Sequence, residues 1–150
     1  MHIISDKLLN TIPSLPEIKN NIKKTIDNSN LLRAILILVG KDKNIWDHEK
    51  RIFIQEGIAL GYDKEYCENT IHSVLQNPYI SLDPPVFFYK ETALKFLQVG
   101  TSIIRQDFRP HPKKIQFLEI VADLNDLKRY WETVGYKNIV QIKLIGAAII

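Results

Sequence analysis

The chain has 150 residues, 45% of them hydrophobic, which is enough to bury a core without disulfides or a structural metal. Its charged residues, 25% of the total, are well mixed and leave a formal charge of +3, too small a bias to require an anionic partner. The single cysteine, Cys67, excludes an internal disulfide, and no run approaches the roughly 18 uninterrupted apolar residues of a membrane span. The start Met1-His-Ile-Ile-Ser has no basic region and no long apolar run, so the expectation is no signal peptide and a cytoplasmic protein.

In chain order the elements read as helices. Ser5–Ile12 is a short helix stopped by Pro13. Ser14 caps the next, with Glu17 three residues on, and Leu15, Ile18, Ile22 and Ile26 form its apolar stripe. Asn28-Ser29-Asn30 reads as a turn, with Asn30 capping a buried helix over Leu31–Val39. Asp47 is placed to cap a helix from His48 to Leu60, ended by Gly61. Asp63 caps Lys64–Gln76, whose inward face is Tyr66, Cys67, Thr70, Ile71, Val74 and Leu75.

Ser81–Pro85 is a linker in which Asp83 and Pro84 make a helix start. The longest helix is then expected from Val86 to Ile104, with Gly100 inside it at a cost of about 1 kcal/mol against alanine, a sign of close packing. Pro110 and Pro112 bracket an elbow, a helix follows to Asn125, and Asp126–Thr133 is the last clear helix. In the tail, Val140, Ile142 and Leu144 alternate as a strand would, while Ile139, Ile142, Ile145 and Ile149 fall near helical spacing. A helix packed on the bundle is the favoured reading, because a lone strand has no partner.

The chain repeats itself. Leu31–Val39, the elbow Gly40–His48 and Glu49–Gly61 match Leu94–Ile104, the elbow Arg105–Pro112 and Lys113–Asn125. Asp42 falls on Asp107, Phe53 on Phe117 and Leu60 on Leu124, with the second elbow one residue shorter and Lys113 where the first copy has Glu49. The fold class is therefore all-α: a single domain of about seven to nine helices in which two related hairpins bury their apolar faces together. Its parts are N-terminal helices over 1–30, hairpin halves over 31–80 and 86–135, and a tail over 136–150 of helix or strand state. The expected core includes Leu32, Ile35, Leu36, Phe53, Ile58, Phe96, Leu97, Phe117, Leu118 and Val121.

The run Asp42-Lys-Asn-Ile45-Trp-Asp-His-Glu49, followed by Ile52-Phe53 and Ile58-Ala59-Leu60-Gly61, resembles the TerB-like helical domain of bacterial tellurite-resistance and stress-response proteins. That family's signature has an acidic residue and a glycine, an apolar residue three on, and a glutamate opening a helix that closes on Leu-Gly. The resemblance covers Leu31–Trp131; it departs at Lys43, which replaces the glycine, and at Lys113. It implies a repeated helical hairpin and a non-enzymatic module of a stress-response system.

Candidate sites lie in the elbows. Asp42, Asp47 and Glu49 have the chemistry to hold a hard divalent cation; the competing reading has Asp47 and Glu49 serving the helix start. No zincin pattern follows His48, and Cys67 reads as a buried structural thiol. The second elbow is basic: Arg105, Arg109, His111, Lys113 and Lys114 crowd a helix start, suited to an acidic protein surface or an anionic ligand. Nucleic acid is disfavoured there, since no exposed aromatics interleave with the bases. Trp46 in a polar elbow is either a staple or a partner contact. The expected function is thus protein–protein interaction without catalysis or a cofactor, using Trp46, Arg109, His111, Lys113 and Lys114, with self-association of acidic on basic elbow as one form. The alternatives are a metal-ion-responsive domain using the acidic elbow, and a binder of an anionic ligand or nucleic acid through the basic one.

Overall fold

The structure, a computed structural model, describes residues 12–135. Those residues are all-helical. The expectations for Ser5–Thr11 and for the tail 136–150 lie outside them.

Helix α1 runs over Leu15–Val39, opened by Ser14 and Glu17 in a reciprocal capping box. It passes without a break through Asn28-Ser29-Asn30, where a turn was expected. These residues are weak helix formers, at a few tenths of a kcal/mol each. Burial of Asp27, Leu31 and Leu32 around them outweighs that, and the Asn30 side chain accepts from Arg33 instead of capping. A 3-10 turn, Gly40–Asp42, leads into the first elbow. Helix α2, Asp47–Ala59, is followed by α3, Lys64–Ser73, which Asp63 caps by accepting from the Glu65 N–H at 3.0 Å. Only Cys67 and Ile71 of α3 are fully buried; Tyr66 and Leu75 lie half open to solvent.

Helix α4 spans Lys90–Gln106 and begins four residues later than expected. The delay has a specific cause. Buried Asp27 accepts from the backbone N–H groups of Phe88 (2.7 Å) and Tyr89 (3.0 Å). Buried Asn125 accepts from Phe87 N–H (2.8 Å) and donates to the Pro85 carbonyl (3.0 Å). Two distant side chains thus tie residues 85–89 to α1 and to the end of the helix before Asp126, and Tyr89 is left extended, at φ −113° and ψ 132°, as the residue before the helix. Helix α5, Pro112–Leu124, has proline in its first turn, and a short α6, Lys128–Tyr130, continues into a wide turn over Trp131–Gly135 in place of one regular helix.

One core joins α1, α4 and α5 with the inner face of α2 and α3. At Gly100 a Cβ would meet Leu118 Cδ2 at 2.4 Å, so the glycine is what lets α4 approach α5. Phe96 and Phe117 pack edge to face, centroids 5.9 Å apart. Of the expected core, Ile58 is the exception at 47% exposed, because it sits on the outer side of α2. No helix among the described residues is long and apolar enough to cross a membrane.

The duplication is visible with a corrected register. Helices α2 and α5 differ by 65 at both ends, Asp47 to Pro112 and Ala59 to Leu124. Burial follows the same step: Leu31 with Phe96, Leu38 with Ile103, Ile52 with Phe117, Phe53 with Leu118. The step is 65 on both sides of the elbows, so the two copies align without a gap. Phe53 and Phe117 are both core residues but occupy adjacent positions of the repeat rather than the same one, and Glu49 corresponds to Lys114, not Lys113.

Truncating the fully buried Phe53 to alanine should cost about 3–5 kcal/mol in urea unfolding. Ile58→Ala, on the same helix, should stay within about 0.5–1 kcal/mol. The opposite order would mean that α2 is rotated about its axis.

Candidate functional site: a cross-elbow charge cluster and its cleft

Both elbows end at the start of a helix, and pairing of the hairpins brings these starts together. Glu49 is the third residue of α2 and Lys114 the third of α5, so each points back over its own first turn into the seam. Both are completely buried. Lys114 Nζ lies 3.0 Å from Glu49 Oε1, 3.1 Å from Asp107 Oδ2 and 3.2 Å from Asp42 Oδ2. Asp42 and Asp107, the acids repeated in the two elbows, therefore share one ammonium group. The other oxygen of Asp107 is hydrogen-bonded to His48 Nε2. Lys114 thus donates hydrogen bonds to Glu49 and Asp107 and forms an ion pair with Asp42, carboxylates drawn from both halves of the chain.

Three carboxylates on one ammonium leave negative charge to spare. Burial pushes the Glu49 carboxyl up to about 7, against the opposing pull of Lys114, with Asp107 and Asp42 adding to the rise. Its Oε2 has no hydrogen-bond partner among the described residues. Lys114 moves up as well: burial disfavours its charge, but the hydrogen bonds and attraction of Glu49 and Asp107 outweigh that.

Of the expected cation ligands, Asp42 and Glu49 do converge, but on Lys114, which stands where a metal would. Asp47 is exposed and takes no part. It is the first residue of α2, and Trp46 occupies the cap position without a side-chain cap bond. A different set among the described residues, His48, Glu49 and Asp107, has ligand atoms within 4.8 Å of one another, close enough to share an ion. For the basic elbow one correction is needed. Lys114 is sealed inside and presents no charge to a partner; its backbone neighbour Lys113 is exposed. His111 caps α5, its Nδ1 accepting from the Lys113 N–H at 3.1 Å, and Arg109 is exposed with its guanidinium 5.8 Å from the Phe108 ring centroid.

Against the cluster lies an open cleft of about 470 Å³ lined by Trp46, Asp47, His48, Gln106, Asp107, Phe108 and Arg109. Trp46 is 54% exposed and Phe108 92%. His48, Asp107 and Phe108 were missed as site residues. His48 and Asp107 are 59 residues apart with no local motif between them, and only the repeat of Asp42 at Asp107 marked the second of the pair.

No family model matches the sequence, and no curated protein or solved structure matches it significantly.

Because the folded-state pKa of Glu49 lies above the unfolded carboxylate value of about 4.3, the folded state holds the extra proton between the two values. Its contribution to stability is therefore greatest at low pH and is lost as pH rises from about 4.5 through 7. The melting temperature should fall over that window, and Glu49→Gln should flatten the fall. A variant that keeps the full slope would place the proton elsewhere.

Proposed function

We propose that the chain is a non-enzymatic interaction module whose partner surface is the cleft between the elbows. The carrying observation is the pair of exposed rings, Trp46 and Phe108, one from each elbow, flanking a cleft held rigid from below by the buried charge cluster. Large aromatics and arginine are the residue types that dominate binding energy at protein interfaces, and Arg109 beside Phe108 completes that composition. The ionisable groups beneath point the same way. His48, Asp107, Glu49 and Lys114 are engaged with one another, which suits a scaffold more than a group poised to transfer a proton to substrate. The likeness to TerB-like domains adds a bacterial stress-response setting to this proposal.

A second reading is a metal-ion-responsive domain. It is supported by the convergence of His48, Glu49 and Asp107 and by the unpartnered Glu49 oxygen. An ion there would have to displace the Lys114 ammonium from Glu49 and Asp107. Calorimetric titration with zinc, magnesium and calcium separates the two readings, since only the second expects heat of binding.

For the first, the test is affinity capture with the parent chain and with Trp46→Ala/Phe108→Ala. Both rings are exposed, so the double variant should melt within about 2 °C of the parent. It should lose partners retained by the parent, by tenfold or more. Retention of the same partners by both would remove the cleft as the binding surface.

A further inference from the structure

A second surface lies along α1, away from the elbows. Leu15, Ile18, Ile22 and Ile26 share one face of the helix by its 3.6-residue period, and all four are exposed, at 41–65%. Every residue from Ile12 to Ile26 is exposed, so this half of α1 stands clear of the core on all sides and leaves the stripe uncovered among the described residues. On the same face farther along, Arg33 donates to the carbonyl oxygens of Ser81 (3.0 Å) and Asp83 (2.6 Å), so the 81–83 loop crosses there. Beyond the crossing the face becomes the floor of a groove of about 690 Å³, formed by Leu36 and Ile37 with Leu75, Ile80 and Leu82.

Charge along this face has one sign. Lys41, Lys43 and Lys113 border the groove, whose lining contains no acid. Lys19 and Lys23 flank the exposed stripe, and Lys23 reaches over the Phe88 ring at 5.8 Å. Glu17 lies on the far side of the helix and is used in the capping box; the carboxylate of Asp83 turns to Ser81 Oγ. From Leu15 to Val39 the helix is roughly 37 Å long. The surface is therefore long: an apolar stripe flanked by Lys19 and Lys23 in the N-terminal half, Arg33 and the crossing loop in the middle, and a lysine-bordered groove at the far end.

We propose that this face of α1 docks peripherally on a lipid bilayer containing anionic lipids. The apolar side chains of the N-terminal half enter the headgroup boundary, and Lys19 and Lys23 beside them and Lys41, Lys43 and Lys113 at the groove meet lipid phosphates. Charge selects this occupant over the two others. A second copy would set five lysines against five lysines. Residues 136–150 carry Lys137 and Lys143 and no acid, so they offer nothing to neutralise the face.

The test is co-sedimentation of the full chain with vesicles of phosphatidylcholine containing about one-third phosphatidylglycerol, against phosphatidylcholine alone. Binding is expected to the anionic vesicles, at least about tenfold weaker to the neutral ones, and reduced by added salt. Ile18→Ser/Ile22→Ser and Lys43→Gln/Lys113→Gln should each weaken it about tenfold, with melting temperatures close to the parent's because these side chains are exposed. Equal binding to neutral vesicles, no binding, or variants that bind like the parent would overturn the proposal. So would a parent that light scattering shows as a dimer and Ile18→Ser/Ile22→Ser as a monomer, since the face would then belong to a second copy.

Discussion

A fully buried ammonium group is costly unless carboxylates surround it, and the arrangement of this chain around Lys114 follows from that requirement. Taking an ammonium ion out of water costs several kcal/mol even after relaxation. Lys114 is compensated only where α5 begins beside α2, because Glu49 comes from one half of the chain, Asp107 from the elbow of the other, and Asp42 from the turn after α1. The apolar faces would tolerate several ways of packing two hairpins. The requirement that three carboxylates meet one ammonium fixes a single one, and this is the use of a buried ionic group best supported by physical argument: register rather than raw stability.

The same pin positions the candidate cleft. Asp107 is held by Lys114 through one oxygen and by His48 through the other, so the starts of both helices are locked to each other. Trp46 and Phe108 lie within two residues of members of that lock: Trp46 is two before His48, and Phe108 follows Asp107. On such a base the backbone beneath both rings is fixed before binding, which lowers the ordering cost of using them as aromatic anchors. The α1 face lies away from this region and depends on different residues, so the two surfaces can be separated experimentally.

Much of the fold was legible in the sequence because its signals are local. Ser14 with Glu17, Asp63, Gly61 and Pro112 marked helix ends where they stand, and Gly100 marked a close approach. What failed was set by long-range contacts. Asn28–Asn30 read as a turn, yet packing around Asp27 and Leu31 carries the helix through. Val86–Tyr89 read as helix, yet Asp27 and Asn125, about 40 to 60 residues away, bind its backbone N–H groups and the helix starts only at Lys90. The repeat was aligned on matching residues, Phe53 with Phe117, whereas burial repeats Phe53 with Leu118. That slip of one residue turned Lys113 into the counterpart of Glu49 and left Lys114 as a surface charge. The step from Asp42 to Asp107, applied to Glu49, leads to Lys114, so the signal for the cluster was present in the acidic pair itself.

The central claim is tested most directly by Lys114→Met, which keeps the length of the side chain and removes its charge. At pH 7.5 it should cost about 3–5 kcal/mol in urea unfolding, because buried Glu49 and the partly buried Asp42 and Asp107 are left without their cation. Part of that loss should return at pH 5.5, where Glu49 is protonated, while Lys113→Met should change stability by less than about 0.5 kcal/mol. A Lys114→Met protein as stable as the parent at both pH values would show that the apolar faces alone set the packing of the hairpins.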